Sequence, residues 1–392
     1  MDAGALDHTT PHRDRLAEVA GLFLKLGLIA FGGPAAHIAM MREEAVRRRH
    51  WVSDPQFLDL LGASNLIPGP TSTELAIYLG YTRAGWQGLV LAGVCFILPA
   101  MLLVLALAWA YVRYGATPQA AWMLYGIKPA IIAIVVQAIW GLARTAVKTP
   151  VLAALGGAVV VLYLLGVNVI VLLFGAGVIM IGAQVGGLGR GRTRLAAVAP
   201  LRDLAAAGVR PLASGGAVPL TTLFFTFMKI GAVVYGSGYV LLAFLRQDLV
   251  DRLHWLTDRQ LIDAVIAGQF TPGPVFTTAT FIGYLTGGIP GALLATLGIF
   301  LPSFLFVALV SPLLPRLRTS AWTGAFLDGA NVAAVGLMAA VTWQLSQAAI
   351  VDGLTLGLAV VASAALFRLH LNSAWLVLGG AVMGVGFHML PR

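Results

Sequence analysis

Two Pro-Gly-Pro runs, Pro68-Gly69-Pro70 and Pro272-Gly273-Pro274, interrupt otherwise apolar stretches. Hydroxyl residues follow each closely: Thr71, Ser72 and Thr73 after the first, Thr277 and Thr278 after the second. Proline removes a backbone donor and glycine permits a sharp turn, so a helix must break at each run. Pro70 and Pro274 suit the first position of a new helix, where no amide hydrogen is needed. The amides at Thr71-Ser72-Thr73 and Phe276-Thr277-Thr278 are then free donors at a positive dipole end, and such a half-helix start inside a membrane is a ready anion site. Asn65 and Gln269, three residues before each break, can add amide donors. The competing reading is a packing kink without a ligand, and the hydroxyls after both breaks weigh against it.

Few charged side chains lie in the apolar stretches. Lys25 and Lys229 occupy equivalent places in two early helices, beside Gly27 and Gly231, and are expected to draw an anion toward a common path. The alternative is that each snorkels to the nearer interface. Lys128 precedes Pro129 at an expected kink. Carboxylates repel an oxyanion and need another role: Glu74, just past the first break, and Asp328 are candidates for proton coupling, whereas Asp59 and Asp263 read as interfacial or capping residues. His37 reads as a packed or interfacial side chain rather than a ligand. The seven histidines show no metal-ligand spacing, and the single Cys95 lies in an apolar run. No metal, cofactor or disulfide framework is therefore expected.

The elements that must hold these residues are membrane helices. Of 392 residues 59% are hydrophobic and only 10% charged, against about 25% charged in soluble domains. Apolar runs long enough to span the bilayer recur along the chain. The net charge of +9 is then a matter of topology rather than of nucleic-acid binding. The expected class is an all-α polytopic membrane protein in contact with the lipid bilayer.

Laid on itself at an offset of 204, the chain repeats without a gap: Lys25/Lys229, Arg42/Arg246, Arg48/Arg252, His50-Trp51/His254-Trp255, Asp54/Asp258, Asp59/Asp263 and the two Pro-Gly-Pro runs. After a one-residue slip, Gly80-Tyr81 meets Gly283-Tyr284, Leu98-Pro99 meets Leu301-Pro302 and Trp140 meets Trp343. The organisation read from this is a polar segment 1–18, a first membrane repeat 19–187, a basic cytoplasmic linker 188–218 and a second repeat 219–392. Each half begins with a helix, 19–41 in the first, followed by a charged stretch and the broken segment. If that segment is re-entrant, each half makes five crossings and the second half is inverted, giving about 10 transmembrane helices plus two broken segments. Loop charge favours this arrangement with the N-terminus outside, because the 42–56 loop is arginine-rich and its mate 246–259 has lost that excess. The competing topology is a parallel pair of six-crossing halves.

Phe31-Gly32-Gly33-Pro34, His50-Trp51, Gln56-Phe57 and the two Pro-Gly-Pro breaks, each followed by Gly-Tyr, resemble the chromate ion transporter (CHR) family. The length, the two halves and the basic linker are similar to its long two-domain members. The second half departs from the pattern, with Ser237-Gly238 for Gly33-Pro34 and Tyr235 for Phe31. The resemblance implies a non-enzymatic transporter of the bacterial inner membrane that exports chromate and confers resistance, with sulfate as a similar tetrahedral dianion. A secondary carrier would exchange the oxyanion for a proton or a counter-anion, and a homodimer is compatible with the sequence. Gly186-Gly187-Leu188-Gly189 lacks the Lys-Ser/Thr of a phosphate loop, so no ATPase is expected. The remaining alternatives are a passive anion channel and an integral-membrane enzyme acting on lipid phosphate, which would need a nucleophile–base pair.

Overall fold

The computed structural model describes residues 11–31, 33–185, 218–235, 240–311, 321–369 and 373–389. The linker's five arginines, Gly32, Gly236 and Ser237-Gly238 lie outside the described residues. Those described form helices, with no strand among them. The first half holds α1 (His12–Ile29), α2 (Gly33–Arg42) with a wide π-type turn (Glu43–Arg48), α3 (Asp54–Leu66), α4 (Thr71–Tyr114), α5 (Pro118–Ala146), α6 (Pro150–Leu164) and α7 (Val169–Val185). The second repeats it as α8 (Leu220–Val233), α9 (Leu241–Leu245) with its own wide turn (Arg246–Arg252), α10 (Asp258–Phe270), α11 (Thr278–Val310), α12 (Ala321–Ala349), α13 (Gly353–Leu369) and α14 (Ser373–Met389).

The first helix does not run unbroken over 19–41. It stops at Ile29, and Gly33, at φ +75 and followed by Pro34, starts a new direction. The new direction leads back. Lys25 Nζ lies 2.7 Å from Glu44, and the Arg83 guanidinium covers the Trp51 ring at 5.7 Å while binding Glu18 at 2.8 Å. Glu18 stands about 18 Å before Ala30 along α1, so at Trp51 the chain has returned to the end where α1 began.

The Pro-Gly-Pro segment is re-entrant as well. α3 runs inward from a reciprocal cap, in which the Ser53 hydroxyl accepts from the Gln56 N–H and the Gln56 side chain accepts from the Ser53 N–H. The chain turns at Gly69, and residues 71–83 bring it back to Trp51. It then reverses once more at Ala84-Gly85, where Gly85 takes φ +63 and ψ −150. A Cβ on Gly80 would stand 2.3 Å from the Gly88 carbonyl oxygen, which requires the arms before and after the turn to lie side by side. α11 folds the same way at Gly287-Gly288: a Cβ on Gly283 would stand 2.3 Å from the Gly291 carbonyl oxygen, and the Thr280 and Thr296 hydroxyls bond across the hairpin at 2.7 Å.

Among the described residues four helical stretches are long and apolar enough to cross a membrane, Thr71–Tyr114, Pro118–Ala146, Val275–Val310 and Trp322–Ala349, and the first and third contain these reversals. Leu102, Trp109, Trp140, Leu305 and Trp343 stay exposed, as lipid-facing side chains do. The halves are inverted, and contacts establish it. His12 on α1 bonds Gln87 at 3.0 Å, so the crossing arm of α4 starts at the end from which α3 enters. That arm finishes near Tyr111, whose hydroxyl donates to Asp263 at 2.9 Å, two turns into α10. α10 therefore enters from the opposite end. The N-terminal end of α1 lies on the same side as the arginine-rich 42–49 turn, contrary to the expected outside N-terminus, because α2 folds back. Inversion thus rests on these contacts and not on a parity of crossings.

Candidate anion site

The breaks meet one another. The Gly69 N–H donates to the Val234 carbonyl at 2.7 Å, and the Gly273 N–H donates to the Ala30 carbonyl at 2.9 Å. Gly69 is the mate of Gly273 and Ala30 the mate of Val234, so each half's Pro-Gly-Pro tip is bonded to the end of the other half's first helix. Glycine is required at both tips. Gly69 takes φ +140 and Gly273 φ +93, and a Cβ on Gly69 would come 2.1 Å from Glu74 Oε1 and 2.6 Å from Ser303 Oγ. In the second half a Cβ on Gly273 would meet Ala100 Cβ at 2.8 Å.

His37 ties the two tips together. Its Nε2 lies 3.0 Å from the Ala30 carbonyl that Gly273 also bonds, and its Nδ1 lies 3.2 Å from the Ser72 hydroxyl. With Nε2–H donating to a carbonyl, Nδ1 is the acceptor and the serine hydroxyl donates to it. The ring is buried, with the Phe96 ring edge-on at 5.6 Å. Tyr235, where the repeat has Phe31, adds a hydroxyl that donates to the Leu66 carbonyl at 3.3 Å.

Pro70 and Pro274 cap their helices from one position earlier than expected. Thr73 N–H bonds the Pro70 carbonyl at 2.7 Å and Thr277 N–H bonds that of Pro274 at 3.0 Å. The donors without an acceptor in their own helix are therefore those of Thr71 and Ser72, and of Val275 and Phe276. The hydroxyls of Thr277 and Thr278 donate to the carbonyls of Pro274 and Val275, each at 2.8 Å, so their protons are committed. Asn65 is exposed and Gln269 half-buried. Pro68 and Pro272 flank the turns from the inward helices.

The matched charges of the repeat find each other. Lys25 binds Glu44 and Lys229 binds Asp248; Arg42 binds Asp54 at 2.8 Å and Arg246 binds Asp258 at 2.9 Å; Arg48 reaches Glu44 and Arg252 reaches Asp248, each at 3.3 Å. These pairs close the elbow between the first helix and the inward helix of each half. Lys25 and Lys229 are thus halves of ion pairs beside the breaks and not bare cations. Asp328 is bound to Lys148 at 2.7 Å at a partly exposed position.

Glu74 is placed otherwise. It is fully buried, Oε1 accepts from the Ser303 hydroxyl of the second half at 3.3 Å, and Oε2 has no hydrogen-bond partner among the described residues. Thr73 Oγ1 and Tyr78 OH, buried nearby on the same helix, also lack hydrogen-bond partners among the described residues. Sequence reasoning picked out Glu74 but missed Ser303, Tyr78 and the linking role of His37. A signal for two of them was available: Glu74 stands opposite Thr278 in the repeat, His37 opposite Leu241 and Ser303 opposite Ala100, so the site gathers residues where the halves differ.

The family model described as "Chromate transporter" matches twice, over residues 17–181 and 221–385, one match to each inverted half. The chain belongs to the chromate transporter family. A chromate transport protein of Cupriavidus metallidurans is 36% identical over 96% of this chain and 94% of its own length. A probable chromate transport protein of Synechococcus elongatus is 31% identical over 98% and 99%, and a chromate transport protein of Pseudomonas aeruginosa 32% over 92% and 90%. No solved structure matches the chain. With its apolar crossing helices, this member of the family is a multi-pass membrane protein of two homologous, inverted halves.

Proposed function

We propose that the chain is a secondary transporter that exports chromate across the bacterial cytoplasmic membrane, with sulfate as a competing substrate. The observation that carries this reading is the reciprocal bonding of the tips, Gly69 to Val234 and Gly273 to Ala30, which brings two half-helix starts to one place within the membrane. The N–H groups of Thr71 and Ser72 and those of Val275 and Phe276 supply donors of fixed direction to a tetrahedral dianion. Ser72 and His37 link the two sets, and Lys25 and Lys229 hold the elbows on either side. Binding at crossed half-helices from opposite leaflets suits alternating access better than an open pore, in which such donors would stay exposed to both sides.

Glu74 is the proton carrier in this reading. A fully buried carboxyl with one hydrogen-bond partner and one unpartnered oxygen can release and regain a proton as the site changes access. Asp328, already matched by Lys148, is the weaker candidate. The test is chromate uptake into inside-out vesicles or proteoliposomes under an imposed proton gradient. Uphill accumulation that sulfate inhibits is expected; conductive, purely downhill flux would replace the carrier by a channel, and no flux of either anion would remove the function.

A further inference from the structure

Buried hydroxyls such as those of Ser64, Thr271 and Thr296 hand their protons to carbonyls one turn back in their own helices. Three polar atoms on the returning arm of α4 do not. Thr73 Oγ1, Glu74 Oε2 and Tyr78 OH have no hydrogen-bond partner among the described residues, although Thr73 and Glu74 are wholly buried and Tyr78 is 1% exposed. A buried polar atom left unpaired costs about 1–3 kcal/mol. Three of them within two turns make the polar surroundings that ordered water requires.

The spacing orders them. Glu74 and Tyr78 stand four residues apart on one face, and helical side chains lean toward the N-terminal end, so the phenol reaches back over the turn of Glu74. Its ring is fixed in the apolar core of the first half. Four residues further, the half-buried Thr82 donates its hydroxyl to the Tyr78 carbonyl at 2.9 Å, and its oxygen can still accept. Thr82 adjoins Arg83, which binds Glu18 at 2.8 Å at the α3 end. Residues 74, 78 and 82 thus climb about 12 Å from the tip to that end. The second half has no such ladder. With Gly80-Tyr81 set on Gly283-Tyr284, Phe281 stands for Tyr78 and Leu285 for Thr82. Thr278 stands for Glu74, with its hydroxyl committed to the Val275 carbonyl at 2.8 Å. The fold buries a ring at this place in both halves, so packing accounts for the ring and not for the hydroxyl.

We propose that Glu74, Tyr78 and Thr82 hold a short chain of ordered water that carries protons between the Glu74 carboxyl and the α3 end. Glu74 gives the proton on Oε2 to the adjoining water. The Tyr78 hydroxyl takes a proton on its oxygen and passes its own on, ending as it began, and at Thr82 the proton reaches water beside the Glu18–Arg83 pair. The reverse order reloads the carboxyl. Across from Glu74 stand the Ser303 hydroxyl of α11 and, through Ser72, His37 of α2, which hold the site without entering the ladder. The α3 end carries Arg42, Arg47, Arg48, Arg49 and Arg83, which marks it as cytoplasmic. In an exchange of chromate outward for a proton inward, the ladder is the route by which the proton leaves. This rests on Glu74 as the proton carrier and adds the route and its relay residue, Tyr78.

The experiment reads the proton without chromate. Infrared spectra of the purified full-length protein show the C=O stretch of a buried carboxylic acid, assigned to Glu74 by its loss in Glu74→Gln. On transfer to heavy water, the shift of that band times the exchange of the carboxyl proton. Tyr78→Phe, which keeps the ring, is expected to slow the shift by roughly ten-fold or more, and Thr82→Val to slow it as well. Tyr81→Phe, whose ring packs on Trp86, is expected to leave it unchanged. In vesicles, Tyr78→Phe is expected to slow proton-driven accumulation of chromate more than exchange of internal for external chromate, a split that loss of packing would not produce. A shift as fast in Tyr78→Phe and Thr82→Val as in the parent, or equal slowing by Tyr81→Phe, overturns the proposal. So does a spectrum in which Glu74→Gln removes no band, or a band that sodium ions abolish, which would assign these oxygens to a cation. If exchange slows as described while vesicles show no proton-driven movement of chromate, the water chain stands and the coupling role of Glu74 fails.

Discussion

Replacing Lys25 by Met removes an ammonium 2.7 Å from Glu44, whose side chain is only 9% exposed. A buried carboxylate stripped of its sole partner would cost about 3–5 kcal/mol. Glu44 keeps Arg48 and Arg49 at 3.3 Å, however, and Lys25 is itself 47% exposed, so solvent screens the pair. The loss should then be about 1–2 kcal/mol. Because the pair closes an elbow beside the first break, transport should fall together with stability. The double variant Lys25→Met/Glu44→Gln no longer strands a carboxylate and is expected to regain most of both. Thermal unfolding in detergent measures the first quantity, and chromate uptake per folded protein the second. If the double variant is as stable as the parent yet moves no chromate, while Glu44→Gln alone moves it normally, Lys25 touches the anion directly and the structural role assigned here is wrong.

Other outcomes follow from the same geometry. Glu74→Gln should abolish proton-driven accumulation of chromate while leaving exchange of internal for external chromate measurable; loss of both in a folded variant would make Glu74 part of the binding site instead. Gly69→Ala, with φ +140 and a Cβ 2.1 Å from Glu74 Oε1, should destabilise by about 2–4 kcal/mol. Gly62→Ala, in an exposed helical position with open space around it, should be neutral or stabilise by up to about 1 kcal/mol; equal unfolding temperatures for the two alanine variants would contradict the tip geometry.

The tips were legible because proline and glycine act locally: two Pro-Gly-Pro runs in register fix two breaks whatever surrounds them. The repeat was legible through its rare residues, since lysine, histidine, tryptophan and aspartate do not align by chance in an apolar chain. The return of α2 was not read, although Gly32-Gly33-Pro34 carries the same chemistry as the later breaks, because an apolar run on both sides looked continuous. The break at Ala84-Gly85 was legible as the gap between a segment over 57–81 and a helix over 86–112, and the meeting of Gly80 with Gly88 shows that the chain reverses there. The fate of the lysines depended on partners 19 residues away, Glu44 and Asp248, each in register with the other, so the pairing could have been inferred from the duplication. Contacts between the halves, such as Glu74 with Ser303 and Gly273 with Ala30, are tertiary and have no local trace in the sequence.

The reading places the oxyanion at the crossing of the broken helices. Chromium scatters X-rays anomalously, so crystals of the purified protein grown with chromate locate the anion without assumption. One anomalous peak is expected within hydrogen-bonding reach of the Thr71 and Ser72 amides, beside His37 and facing the Val275 and Phe276 amides. A peak at the Lys25–Glu44 or Lys229–Asp248 elbows, or none near the breaks at saturating chromate, would contradict it.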